Sequence, residues 1–144
     1  MDDVFKKIRL VSMEARNYSY CPYSGYSVGA ALLCESGRIV VGSNIENASY
    51  SATVCAERTA FFKAVSEGEK KFTAIAISGG PKDMESDGYA YPCGICRQVM
   101  REFCDEENFK IFVVKSEDEY EEYLLKDLLP KSFGPNNLQN TSKK

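Results

Sequence analysis

Val28-Gly29-Ala30-Ala31-Leu32-Leu33-Cys34-Glu35-Ser36-Gly37-Arg38-Ile39-Val40-Val41-Gly42 is the stretch that decides the architecture. An antiparallel strand with one face in water alternates apolar and polar residues, so the nearly unbroken apolar run from Val28 to Cys34 marks a strand covered on both faces. Glu35-Ser36-Gly37 then supplies a turn, and Arg38 to Gly42 resumes an extended pattern. The stretch reads as a β-hairpin with at least one fully buried strand, which requires cover on both sides of a sheet.

The flanking sequence supplies that cover. From Asp3 to Asn17, the apolar residues Val4, Phe5, Ile8, Val11, Met13 and Ala15 recur near the helical period among charged residues. Pro22 restricts the residue before it, and the serines and Gly25 favour a turn, so Tyr18 to Gly25 ends that helix. Tyr18, Tyr20, Tyr23 and Tyr26 fit either core packing or the wall of a flat-ligand pocket, and packing is the commoner use of aromatic area. Beyond the hairpin, Ser43-Asn44-Ile45-Glu46-Asn47-Ala48 gathers hydrogen-bonding side chains past a strand end, where layered α/β folds often bind ligands. An Asn-rich turn alone is usually only a turn.

A second helix is expected over about Thr53 to Val65, closed by Glu67-Gly68. Phe72 to Ser78 reads as a short strand closed by Gly79-Gly80-Pro81, and Lys82 to Tyr91 as a surface loop long enough to be a rim or interface element. Pro92 precedes a helix over about Gly94 to Cys104. Phe109 to Val114 is a strand, Tyr120 to Leu125 its returning neighbour, and Lys126 to Leu129 a helical turn. The tail from about residue 136 to 144 is expected to fray. The order α-β-β-α-β-α-β-β gives an α/β fold of three layers, α/β/α, around a five-stranded sheet, in a single domain spanning residues 1–144.

With 144 residues and 44% hydrophobic composition, the chain can bury one core. Its net charge of -3 argues against a nucleic-acid partner, which normally shows as a basic face, and favours a small substrate. Lys70-Lys71 and Lys143-Lys144 read as solvated turn and tail residues. The charged N-terminus lacks a signal-peptide core, and no apolar run is long enough to cross a membrane, so a soluble intracellular protein is expected. Six cysteines without a secretory signal do not suggest a disulfide scaffold. The chain has no histidine, so any metal site or general base must come from cysteine, carboxylate, lysine or tyrosine.

Cys93-Gly94-Ile95-Cys96 alone is ambiguous among redox, structural-zinc and chance pairs. Cys55 changes that reading, because it also heads a helix, and both positive helix ends favour thiolates. Three soft ligands leave the fourth tetrahedral position of a zinc open to water, as in catalytic rather than closed structural sites. Glu57, two residues from Cys55, can work on that water. The zinc-deaminase signature is H-x-E followed by P-C-x-x-C, with cysteine allowed in place of the histidine. This chain carries Cys55-Ala56-Glu57 and Pro92-Cys93-Gly94-Ile95-Cys96.

On these residues the sequence resembles the small, three-cysteine cytidine deaminases. The resemblance runs from Tyr20-Cys21-Pro22-Tyr23-Ser24 through Asn44-Ile45-Glu46-Asn47-Ala48 to Leu129-Pro130-Lys131-Ser132-Phe133-Gly134-Pro135. It implies a mixed five-stranded sheet, one zinc per subunit held by Cys55, Cys93 and Cys96, and cytoplasmic pyrimidine salvage. The implied reaction converts cytidine and deoxycytidine to uridine and deoxyuridine with release of ammonia, and Glu57 moves the protons. It further implies that Arg58 and Gln98 donate hydrogen bonds to the cysteine sulfurs, offsetting the charge of three thiolates. By the same resemblance Asn44 and Glu46 hold the ribose hydroxyls, and the Ala56 backbone meets the pyrimidine edge. Tyr26 lies against the base where many relatives have phenylalanine, and Ser27 stands where many have proline. Tyr50 and Phe133 match residues given to a neighbouring subunit's pocket, so a homotetramer with shared active sites is expected. Cys21, Cys34 and Cys104 fall outside the ligand pattern and are expected as buried free thiols.

Three other readings compete: a deaminase of a related nucleoside such as blasticidin S, a polynucleotide deaminase, and a noncatalytic zinc-stabilised interaction domain. The Asn44-x-Glu46 pair favours cytidine, the acidic composition disfavours polynucleotide, and the want of a fourth protein ligand disfavours a closed structural site.

Overall fold

β1 (Tyr26–Cys34) is the axis of the structure, a computed structural model that describes residues 2–138. It pairs antiparallel with β2 (Ile39–Ser43) on one edge and with β3 (Phe72–Pro81) on the other. β3 pairs parallel with β4 (Lys110–Val114), and β4 pairs antiparallel with β5 (Tyr120–Leu124). The sheet order is β2-β1-β3-β4-β5, a mixed sheet of five strands.

The two faces separate by strand periodicity. Ala31 and Leu33 of β1, Ala74 and Ala76 of β3 and Phe112 and Val114 of β4 point toward α1 (Asp2–Ala15), which buries Phe5 and Ile8 against them. Ala30, Leu32, Ile75, Ile77, Ile111 and Val113 point the other way, onto α2 (Ala56–Ser66) and α3 (Gly94–Phe103) with Ala60, Phe61, Ala64, Cys96 and Met100. Both strand and helix spacing thus explain the buried run from Ala30 to Cys34.

Two glycines let helices approach the sheet. A side chain at Gly29 would meet the backbone of α1 at Ser12 and Ala15 and the Arg16 nitrogen just beyond it, and one at Gly42 would lie 2.6 Å from the Ala60 nitrogen of α2 and still nearer the Ala56 carbonyl oxygen. The closeness of β2 to the first turn of α2 places the hairpin's exit beside the start of that helix.

Several boundaries differ from those the sequence predicts. β3 continues through Gly79, Gly80 and Pro81, because β1 stays paired with it as far as Tyr26. Those glycines are required by close neighbours: a side chain at Gly79 would lie 2.6 Å from Ala90 Cβ, and one at Gly80 would lie 2.7 Å from Arg16 Nη2. Tyr18, Tyr20 and Tyr23 are exposed rather than packed in the core. Leu125–Leu128 forms α4, and Pro135–Leu138 forms a helical turn, α5, tied by Asn136 to Arg101 and by Asn137 to Gly134. The rest of the expected tail, residues 139–144, lies outside the described residues. Among the described residues no helix is long and apolar enough to cross a membrane.

Candidate active site

α2 and α3 enter on the same face of the sheet, each with a cysteine at its N-cap. Cys55 caps α2 with extended backbone, so the helix begins at Ala56 rather than at about Thr53, and Cys93 caps α3 with its sulfur accepting from the Cys96 amide at 3.4 Å. Cys96 sits in the first turn of α3, so the sulfurs of Cys55, Cys93 and Cys96 all lie within 4.8 Å of one another. Ligand sulfurs at about 2.3 Å from one tetrahedral zinc stand about 3.8 Å apart. Cys55 and Cys93 are 3.8 Å apart, and Cys93 and Cys96 are 3.4 Å apart, so the donor set fits such a metal without rearranging the helices.

Electrostatics favour a thiolate at Cys55. Its neighbours, Cys96 first and then Arg58 and Cys93, hold the Cys55 thiol below its ordinary range, while the proximity of Cys55 together with burial pushes Cys96 up. Arg58 Nη2 donates to Cys55 Sγ at 3.5 Å from one helical turn away. The N-termini of both helices add positive potential directed at the sulfurs.

Cys55 and Cys93 open onto a cavity of about 310 Å³, while Cys96 is buried and takes no part in its wall. Its lining brings together Cys55, Ala56, Glu57 and Cys93 with Tyr26 and Asn44, six residues that the sequence marks as ligand or substrate positions. Glu57 is buried, 4% exposed, and burial pushes its carboxyl up to about 7. Asn44 is fixed by accepting from the Val28 amide at 2.9 Å and donating to the Tyr26 carbonyl at 2.9 Å. The segment that carries it is drawn to the head of α2 by a bridge in which Ile45 and Val54 exchange backbone hydrogen bonds at 2.9 Å. A larger cavity of about 710 Å³ lies beside Arg16, Lys82 and Lys115 on the opposite side and contains none of these groups, so size does not identify the site.

The remaining predicted residues are placed differently. Glu46 and Tyr50 line a neighbouring cavity that shares Thr53 with the first. Glu46 accepts from the amides of Tyr23 and Ser24 and from the Ser24 hydroxyl, which holds its carboxyl below the usual range. Phe133 is 57% exposed and reaches neither cavity. Gln98 does not donate to a sulfur: its side chain donates to the Phe133 carbonyl at 2.8 Å, because a position two residues past Cys96 faces away from it on a helix. Cys21, Cys34 and Cys104 are buried free thiols apart from the cluster. Val28, Ile77, Ala90 and Tyr91 also line the cavity, and the sequence does not single them out as site residues. Alternation along β1 and β3 marks Val28 and Ile77 as facing α2 and α3, but nothing local marks Ala90 and Tyr91.

The family model for the cytidine and deoxycytidylate deaminase zinc-binding region matches residues 5–111. The cytidine deaminase of Sporosarcina psychrophila is 44% identical over 133 residues, covering 92% of this chain and 93% of its own. That of Mycobacterium tuberculosis is 36% identical over 139 residues, covering 96% of each chain. The crystal structure of the cytidine deaminase from Burkholderia pseudomallei superposes with a TM-score of 0.79 at 38% identity, covering 88% of this chain and 97% of that one.

Proposed function

The chain belongs to the cytidine and deoxycytidylate deaminases, a zinc-binding family, and from that membership we propose that it hydrolyses the free nucleosides cytidine and deoxycytidine to uridine and deoxyuridine with release of ammonia. The observation that carries this reading is a group of three cysteine sulfurs, two of which line one cavity together with a buried carboxyl, Glu57. Cys55, Cys93 and Cys96 would hold one zinc per chain. When bound there, zinc supplies Lewis acidity that brings the pKa of a water to about neutrality.

Glu57 takes a proton from the attacking water and carries it to ring N3, which leaves C4 open to attack by the oxygen; it then takes the second proton from the new C4 hydroxyl and delivers it to the amine, which leaves as ammonia as the C4 carbonyl forms. A carboxyl poised at about 7 is suited to both halves of this transfer near neutral pH. Arg58 draws charge from the Cys55 sulfur through its hydrogen bond. Tyr26 forms the wall against the base, and the backbone of Ala56 meets the pyrimidine edge. Asn44 uses one lone pair and one N–H on β1, and it keeps one of each for a sugar hydroxyl. Glu46 approaches the sugar from the adjoining cavity.

Tyr50 and Phe133, 77% and 57% exposed, belong in this reading to pockets shared between the four chains of a homotetramer. The continuous sheet from β2 to β5 supports one domain over residues 1–144. Free thiols suit the reducing cytoplasm, where pyrimidine salvage takes place.

The test is a zinc determination followed by ammonia release from cytidine, deoxycytidine, cytosine and cytidine monophosphate. Turnover of the two nucleosides is expected; zinc-loaded protein inert on both would sink the assignment. Light scattering should give four times the 16.1 kDa chain mass, and a monomer active on cytidine would remove the shared-pocket reading.

A further inference from the structure

The edge strand β5 reaches the active-site cavity through a cluster of side chains. Period-two alternation turns Tyr120 and Glu122 toward α1, where Tyr120 packs on Phe112 and Glu122 pairs with Lys110. Glu121 and Tyr123 therefore face the side occupied by α3, and Tyr123 packs against the core there. Glu121 Oε1 accepts from the Tyr91 hydroxyl at 2.6 Å and from the Tyr123 hydroxyl at 2.7 Å. The rings of Tyr91 and Tyr123 meet edge to face with centroids 6.4 Å apart, and Tyr89 stacks on Tyr91 at the same separation.

Tyr91 is also a wall of the cavity that holds Cys55, Glu57 and Cys93, although it is half exposed. Pro92 confines its backbone to extended conformations and places it two residues before Cys93. Its neighbour Ala90 packs with Tyr26 over the bare backbone of Gly79. The wall Tyr26–Ala90–Tyr91 is thus fixed at one end by the sheet. At the other end Tyr91 is half exposed, and the carboxylate of Glu121 is the hydrogen-bond partner that orients its ring.

We propose that Glu121 is a positioning residue for substrate binding, holding the Tyr91 ring in place as a wall of the nucleoside cavity through the hydrogen bond between them. The proposal rests on the nucleoside reading above. An aromatic wall ordered before binding spares the complex the cost of ordering it, so the effect belongs mainly to KM.

Zinc-loaded wild type, Glu121→Leu, Tyr91→Phe and the double variant are compared in steady-state deamination of cytidine. Glu122→Gln, on the opposite face of the same strand, is the control. Each of the first two single variants should raise KM roughly three- to tenfold, with a smaller loss in kcat and full zinc content. The double variant should be no worse than the poorer single one, because both remove the same hydrogen bond. The control should leave KM unchanged. Unaltered KM in both single variants, additive effects in the double variant, or loss of zinc together with kcat would overturn the positioning role while leaving the deaminase reading intact. A wild-type chain inert on cytidine would overturn the nucleoside reading itself, and the role of Glu121 would fall with it.

Discussion

Glu57 is a carboxylate in a place where water cannot solvate its charge. Burial raises its carboxyl to about 7, and Arg58 only partly offsets the nearby Cys55 thiolate. Glu57→Gln preserves shape and hydrogen bonding but cannot carry a proton, so kcat should fall by about 10²- to 10⁴-fold with metal content unchanged; near-normal turnover would exclude the shuttle. Cys34 presents a different case of burial, in which its thiol is pushed from 9.0 to about 11, chiefly by desolvation and then by Glu69. A folded state that holds this proton more tightly than the unfolded chain is stabilised fully below pH 9.0, and that contribution is lost as pH rises through about 11. Urea midpoints measured from pH 8 to 11 should fall along the way, and Cys34→Ala should flatten the fall; an equal slope in the variant would refute the assignment. Cys55, Glu57, Cys93 and Cys96 were legible in the sequence because metal and proton chemistry require those residue types at short spacings. The partners of Gln98 and Tyr91 were not, because the Phe133 carbonyl and the Glu121 carboxylate are contributed by distant parts of the chain.

α2 owes its position to the close contact at Gly42 as much as to its own apolar face. A methyl group added there would press on backbone atoms of Ala56 and Ala60, which cannot rotate out of the way as a side chain can. Gly42→Ala should therefore cost about 1–3 kcal/mol, with weaker metal retention because Cys55 caps the displaced helix. A calorimetric scan showing no loss in melting temperature would contradict this. Strands and helices were legible from their two periodicities, and the buried β1 announced cover on both faces. The C-terminal end of β3 was not, since Gly79-Gly80-Pro81 carries the usual marks of a turn. In the folded chain those glycines admit Ala90, Tyr26 and Arg16 at close range, and that need is visible only once the partners are in place.

Across the whole molecule, the three sulfurs connect the hairpin side of the sheet, through α2, with the β4 side, through α3. A metal bound only by the folded arrangement adds its binding free energy to folding. Removing it with a strong chelator should lower the melting temperature, and restoring zinc should recover it; an unchanged melting temperature would mean that the two helices are held by packing alone. The order of elements followed from the sequence, whereas the arrangement of cavities did not, because each cavity is bounded by segments far apart in the chain. The connection between β3 and α3 illustrates a further consequence. Arg16 Nη2 clamps its entry through the carbonyls of Pro81 and Met84, at 3.0 and 2.9 Å, and Tyr91 fastens its exit to Glu121. Between these fastenings Ala90 lines the cavity while the exposed position Asp87, three residues earlier, does not, which makes Asp87 a natural splice point for a tag or a reporter peptide. A Gly-Ser insertion after Asp87 should leave KM for cytidine within about twofold of its starting value, a tolerance expected of exposed loop tips; a larger rise would show that the fastenings transmit strain from the loop to the site.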